Sequence, residues 1–242
     1  MIKFISFDLD DTLWPIMPMI VQAEERLQQW LATEVSGYAE CVDRDLLGKL
    51  RNNALQTDPD LRFDISRLRI RCIELALQHC YASQCRPVGE AAINQQALGA
   101  FEIFMQARNQ VNFFPGTLDV LTELKRSFKL CGLTNGNADT QRIGLDKYFE
   151  FCMSPVMARA RKPDPSIFAA TLARAGCTNQ EIIHVGDHPE EDIGGATAAG
   201  WRCVWVQQRN PAAEVSKADA TISKISELPA VIAALASEAS HE

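Results

Sequence analysis

"ISFDLDDTLW", residues 5–14, places Asp8, Asp10 and Asp11 within four residues, directly behind an apolar run. Carboxylates so close repel one another, and each loses hydration if the segment packs. At ~4 Å and an effective dielectric near 20, a like-charge pair costs on the order of 4 kcal/mol. Either the three acids are splayed into water as an ordinary turn, or something positive sits among them.

Working outward, "IKFISF" (2–7), "FKLCGLT" (128–134), "EIIHVGD" (181–187) and "RCVWV" (202–206) are short apolar runs bounded by Gly, Asp or Asn, with "FEFCMS" (149–154) a weaker member. Nearly all-apolar runs of this length predict strands buried on both faces of a parallel sheet. Helical spacing lies between them: Val120, Leu121, Leu124 and Phe128 follow Pro115-Gly116, and Ile167, Phe168, Leu172 and Ala175 follow Pro163 and Pro165. The βαβα alternation predicts an open α/β sheet with right-handed crossovers.

Residues 15–110 break that alternation. Ile20, Ala23, Leu27, Trp30 and Leu31 recur at helical spacing between Pro18 and Gly37, as do Ile65, Leu68, Cys72, Leu75 and Ala76, and Ile93, Ala97, Phe101, Phe104 and Met105. A weaker pattern surrounds Leu46, Leu47, Leu50 and Leu55. The spacing predicts a helical block inserted after the first strand. A small polar tail occupies 237–242.

Composition narrows the function classes. Of 242 residues, 47% are hydrophobic and 23% charged, as in ordinary globular domains. The net charge of −7, without a block of lysine and arginine, argues against a nucleic-acid surface. No apolar stretch reaches the ~20 residues that span a bilayer, so no membrane role is expected. A signal peptide is not expected either, because Asp8, Asp10 and Asp11 fall where its apolar region would lie. Eight scattered cysteines without a C-x-x-C pair suit reduced thiols, and a cytoplasmic location is expected.

Ligands of an open parallel sheet bind beyond the carboxyl ends of its strands. There the sequence sets Asp8, then Thr134-Asn135-Gly136, then Gly186-Asp187, with Arg161-Lys162-Pro163-Asp164-Pro165 ahead of a helix. Singly, each has an ordinary account. Aspartates form turns, Asn137 can cap a helix, a lysine before proline is usually solvated, and Glu190, Glu191 and Asp192 can complement a helix N-terminus. Coincidence at successive strand ends is a poor account of all of them together.

Their joint chemistry is phosphoryl transfer. Asp8 and Asp187 can supply oxygens to Mg²⁺, and the metal with Lys162 would offset the charge of an anionic substrate. Thr134 and the amides of Asn135 and Gly136 can hold phosphate oxygens at a helix N-terminus. One carboxylate can attack phosphorus while a second, two residues on, moves a proton.

The ordered set D8-L-D10-x-T12, T134, K162-P-D-P and G186-D187-x-x-x-x-D192 resembles the four motifs of the haloacid dehalogenase superfamily. That resemblance implies a Rossmann-like, three-layer α/β/α core at 1–14 and 111–242, with a C1-type helical cap at 15–110. It makes Asp8 the nucleophile that forms an aspartyl-phosphate and Asp10 the general acid and base. Asp8, Asp187 and the Asp10 carbonyl would hold Mg²⁺, with Asp192 an outer or alternate ligand. Thr134 would bind the phosphoryl group, and Lys162 would pair with nucleophile and phosphate. Asp11 is left to support the loop.

The resemblance implies a Mg²⁺-dependent phosphatase of small phosphate monoesters, acting as a monomer or homodimer. A phosphomutase uses the same residues, whereas the superfamily's dehalogenases need no metal and lack the second Asp of D-x-D. A receiver domain also uses a strand-end Asp, a Thr and a Lys, but it is shorter and has no acid two residues after the nucleophile. "MARARK" before Lys162 departs from relatives that often place Gly there, through Arg159 and Arg161. "LTNGNA", "RLRIRCIELAL" and "HVGDHPEEDIGGA" further resemble bacterial phosphatases of flavin mononucleotide or the phosphorylated ribityl-pyrimidine of riboflavin synthesis. Nucleotides and sugar phosphates also remain candidate substrates. Arg67 and Arg71 share a helix face that either is solvated or reaches a substrate.

Overall fold

Phe4, Ile5, Ser6 and Phe7 form the first strand, β1 (Phe4–Phe7), and all four are buried in this computed structural model. The structure describes residues 1–207 and 218–238, so the last four residues of the polar tail lie outside it. Burial of consecutive positions means that both faces of the strand are covered, which is why it reads as a continuous apolar run.

The remaining strands are β2 (Lys129–Leu133), β3 (Phe149–Met153), β4 (Ile182–Gly186), β5 (Arg202–Val206) and β6 (Ala220–Ile222). All pair in parallel, in the order β3-β2-β1-β4-β5-β6. Each crossover therefore needs covering segments. These include α6 (Thr117–Leu124), α9 (Pro165–Ala175), α10 (Gly195–Ala198) and α11 (Leu228–Glu238), with the shorter α7 (Thr140–Ile143) and α8 (Pro155–Ala158) beside them. On one sheet face, Phe4, Cys131, Leu133, Ile182 and Cys203 form a core with Ile167, Phe168 and Ala196. The opposite pleat, Ile5, Phe7, Leu130, Ile183 and Val204, is equally buried. The fold is the expected α/β class with a parallel sheet.

The chain divides into two compact units, one of Met1–Ile16 with Val111–Glu242 and the other of Met17–Gln110. The second is helical throughout, with α1 (Ile16–Glu34) contributing all but its first residue, then α2 (Tyr38–Cys41), α3 (Arg44–Thr57), α4 (Ile65–Ser83) and α5 (Glu90–Arg108). Its starts follow capping chemistry: Asp43 accepts from the Leu46 amide at 2.7 Å, and Asp64 from the Arg67 amide at 2.9 Å. Leu27, Leu31, Ile73, Leu77, Ala97 and Phe104 fill its core.

One local expectation needs correction. The Thr134-Asn135-Gly136 turn does not open a helix. The next helix, α7, is four residues long and is capped by Asp139, which accepts from the Gln141 and Arg142 amides, rather than by Asn137. The chain after Pro189 is a π-helical turn, Pro189–Gly194, capped by His188, whose Nδ1 accepts from the Glu190 and Glu191 amides. Glu190 and Glu191 fall in its first turn, where their charges complement the helix start.

Candidate active site

Register builds the site. Phe7 lies opposite Val185, and the Asp8 amide donates to the Val185 carbonyl at 2.8 Å. Asp8 therefore leaves β1 beside Gly186, with Asp187 one residue beyond. On the other flank the Thr134 amide donates to the Met153 carbonyl at 3.1 Å, fixing the end of β2 against β3.

Lys162 enters this rim from the segment after α8. Its ammonium donates to Asp8 Oδ1 at 2.6 Å, Asp192 Oδ1 at 2.5 Å and the Leu133 carbonyl at 2.8 Å. An ammonium has three hydrogens, and three acceptors now take them. The lysine side chain is 1% exposed, Asp192 1% and Asp8 10%, so these charges lean on one another rather than on water. Burial alone would push Lys162 down, but Asp192 and Asp8 reverse this and hold it above the ordinary lysine value. Burial would likewise raise Asp192, yet Lys162 and His184 hold it well below the carboxylate range.

Asp192 is held from three sides. His184 Nε2 lies 3.1 Å from Oδ1, and the His188 amide donates to Oδ2 at 2.9 Å. His184 is itself fixed by Ser6 Oγ, 3.1 Å from Nδ1. Gly186 makes room for this approach: a Cβ there would lie 2.3 Å from Asp192 Cγ, far inside contact distance.

Asp8 and Asp187 carry charge with less compensation. Burial, the largest influence, raises Asp8 well above the usual carboxylate value; Lys162 opposes this while Asp192 and Asp187 add to it. Asp187 is pushed up to about 7 by burial, then by the Asp192 and Asp11 carboxylates. Thr12 bridges the two, its hydroxyl 3.4 Å from Asp8 Oδ2 and 3.3 Å from Asp187 Oδ1. Trp205 Nε1 holds the Asp187 carbonyl at 2.9 Å. One oxygen from each of Asp8, Asp187 and Asp192 falls within 4.8 Å of the others, so this acidic cluster can hold a metal ion.

The Asp10 carboxylate is not part of that cluster. Its Oδ1 accepts from Trp14 Nε1 at 2.9 Å, and Trp14 is fully buried beside Phe113. Asp11 adopts a left-handed conformation (φ 63°) and accepts from the Ile16 amide at 2.8 Å, tying the loop to the start of α1.

Thr134 is buried, and its hydroxyl accepts from the Gly136 amide at 2.9 Å. The Asn135 side chain is engaged elsewhere. It receives the Lys162 amide at 2.8 Å and donates to the Lys162 carbonyl at 2.9 Å and to Glu191 Oε2 at 2.8 Å. It therefore clamps the backbone of the lysine, leaving its own N–H for any phosphate contact. Arg159 occupies a left-handed position (φ 51°), a conformation that glycine adopts more readily. Arg67 and Arg71 meet carboxylates of the helical unit, Asp58 at 3.8 Å and Glu74 at 2.9 Å.

The sequence reading gave no role in the site to five side chains found here: Thr12, Trp14, His184, Glu191 and Trp205. Thr12 had a signal, since it closes the D-x-D-x-T motif. Trp14, four residues after Asp10, had spacing only. The other three depend on contacts across the sheet.

Residues 2–200 match the family described as haloacid dehalogenase-like hydrolase. Among curated relatives, the 5-amino-6-(5-phospho-D-ribitylamino)uracil phosphatase YigB of Escherichia coli K12 is 29% identical over 209 residues, which cover 86% of this chain and 85% of that protein. The glyceraldehyde 3-phosphate phosphatase of Methanopyrus kandleri is 25% identical over 219 residues, again 86% and 85% of the two chains. Among solved structures, a 2-haloacid dehalogenase from Pseudomonas syringae pv. Tomato DC3000 superposes with a TM-score of 0.90 at 38% identity, covering 97% of this chain and 99% of that one. The match spans Asp8, Asp10, Thr134, Lys162, Asp187 and Asp192, and the chain belongs to the haloacid dehalogenase-like hydrolase family.

Proposed function

We propose that this chain is a Mg²⁺-dependent phosphatase that hydrolyses small organic phosphate monoesters through an aspartyl-phosphate on Asp8. Residues 15–110 are read as its C1-type cap. The observation that carries the proposal is the buried Lys162 ammonium shared by Asp8 and Asp192, at 2.6 and 2.5 Å, beside an Asp187 that makes no ion pair among the described residues. Three carboxylates around one lysine suit a hard cation, and an all-oxygen donor set is what Mg²⁺ takes. Asp8, Asp187 and the Asp10 carbonyl would hold the ion, with Asp192 an outer ligand because its oxygens already serve Lys162, His184 and His188. When bound, the ion would stabilise charge on the transferring phosphoryl group.

The chain's own groups do the rest. A carboxylate oxygen of Asp8 attacks phosphorus in line with the leaving oxygen. Lys162 opposes the protonation of Asp8 that burial favours, and the Thr134 hydroxyl with the N–H of Asn135 binds the phosphoryl oxygens. Asp10, held by the Trp14 indole, gives its proton to the departing alkoxide. It then takes a proton from the water that cleaves the aspartyl-phosphate.

The structural resemblance to a 2-haloacid dehalogenase favours a second reading, attack of Asp8 on a carbon bearing halogen. A halide leaves as a weak base and needs no proton. An alkoxide leaves poorly without one, so Asp10 on its Trp14 support has work only in the phosphatase. The names of the E. coli and Methanopyrus relatives support the same side.

The test is a release screen with Mg²⁺ across ribityl-pyrimidine phosphate, flavin mononucleotide, nucleotides and sugar phosphates, run beside halide release from 2-haloacids. Phosphate release that is lost in Asp8→Asn and with chelator, while circular dichroism is unchanged, is expected. Halide release by the native protein, or undiminished phosphatase activity in Asp8→Asn, overturns the proposal.

A further inference from the structure

Two sulfurs meet in the helical unit where α2 ends against α4. The Cys41 and Cys80 sulfurs gather around a single amide, that of Gln84. Gln84 Nε2 lies 3.3 Å from Cys80 Sγ and 3.9 Å from Cys41 Sγ, and it also donates to the Ser36 carbonyl at 2.6 Å. Ser83 Oγ stands 3.2 Å from Cys41 Sγ.

The two thiols are unequal. Cys41 is half-buried, whereas Cys80 is fully buried within the helical core. The Ser83 hydroxyl beside Cys41 lowers its pKa, with contacts to Cys80 and Gln84 assisting. Burial pushes Cys80 up to about 11, and it also raises Cys72, Cys131, Cys152, Cys177 and Cys203. A thiol that is both reachable and readily ionised reacts first with an electrophilic oxidant.

We propose that Cys41 and Cys80 are a peroxide-responsive thiol pair that closes to a disulfide and cross-links α2 to α4. The Cys41 thiolate attacks the distal oxygen of a hydroperoxide. The O–O bond breaks, alcohol (or water) departs, and Cys41 becomes a sulfenic acid. Cys80 sulfur then attacks Cys41 sulfur. The S–O bond breaks, hydroxide leaves with the Cys80 proton as water, and the S–S bond forms. Two thiols lose two electrons and one hydroperoxide gains them.

The local backbone suits this closure. The helix α2 has four residues, starts at a left-handed Gly37 and has no side-chain cap, so α2 rather than α4 absorbs the adjustment that disulfide geometry requires. Tyr38 of α2 shares a cavity of about 390 Å³ with Leu68, Arg69 and Ile73 of α4, so the cross-link joins two walls of that cavity.

The test uses the whole chain, treated with hydrogen peroxide, alkylated and mapped by mass spectrometry without reduction. A Cys41–Cys80 linked peptide is expected, with two fewer alkylated thiols, restored by dithiothreitol and unchanged in Cys85→Ser. Cys80→Ser should stop at a dimedone-reactive Cys41. Because Cys80 is buried, Cys41→Ser supplies the control that keeps the fold, and it should lose the linked peptide. Oxidised native protein should melt about 5–10 °C above the reduced form, a shift absent in Cys41→Ser. A link from Cys41 to any other cysteine, over-oxidation of Cys41 with Cys80 still alkylated, or no reaction at Cys41 overturns the proposal.

Discussion

The two units treat charge in opposite ways. In the sheet unit, Lys162, Asp8 and Asp192 are sealed together, with the lysine and Asp192 side chains each 1% exposed. In the helical unit, Arg69–Glu24 and Arg71–Glu74 are of similar length, 2.7 and 2.9 Å, but their arginines are 31% and 43% exposed. Distance alone does not rank these pairs. A surface pair loses little when broken, because water replaces the partner. A buried charge left alone has nothing to replace it. Pairs of opposite charge therefore stay close to water in one unit and are sealed away from it in the other.

Breaking the buried pair gives the largest expected effect. Lys162→Met should lower unfolding free energy by about 3–5 kcal/mol, whereas Arg71→Met should change it by less than about 1 kcal/mol. Urea denaturation of both variants measures the contrast. Equal losses would mean that burial does not govern it.

Asp187 gives the next test. Its pKa of about 7, against 3.8 in an unfolded chain, means that the folded protein holds a proton that the unfolded chain releases. Without metal, this site removes stability as pH rises from about 4 to 7. A buried His184 with a lowered pKa works the other way, losing stability as pH falls, so the comparison is made against Asp187→Asn. Melting-temperature gain from Mg²⁺ should grow between pH 5 and 8 in the native protein and grow less in that variant, where Asp8 is left as the ligand with a raised pKa.

Trp14→Phe sharpens the reading of Asp10. Loss of one hydrogen bond to a charged group, worth about 1.5 kcal/mol, should slow turnover of alkyl phosphates roughly tenfold. A nitrophenyl phosphate, whose leaving group needs no proton, should be affected much less. Equal slowing of both would assign Trp14 a packing role only. The smallest effect is expected at Arg159, where Arg159→Gly relieves a left-handed backbone and should gain up to about 1 kcal/mol.

Legibility differed by element for physical reasons. The runs around Ile5, Leu130, Ile183 and Val204 were readable because burial on both faces leaves no polar alternation. Ala220–Ile222, half-buried to exposed at Ala220 and Thr221 on the sheet edge, has only three residues and no apolar run, and it was not foreseen. Asn137 could have served as a cap and Asp139 is the actual one, since both residue types can cap and only the path of the loop selects between them. Glu191 looked like a helix-start charge, but it holds Asn135 across the rim at 2.8 Å.

By itself, the sequence determined the parallel α/β class, the inserted helical block and the order of Asp8, Asp10, Thr134, Lys162 and Asp187, because apolar periodicity and motif spacing are local properties. Only the tertiary structure decided that Lys162 serves Asp8 and Asp192 at once, that Asn135 clamps the lysine backbone, and that burial raises the pKa of Asp187 while Lys162 and His184 hold that of Asp192 down. Those outcomes depend on burial and on which strand ends lie side by side, and residues 154 positions apart meet only when the sheet has formed.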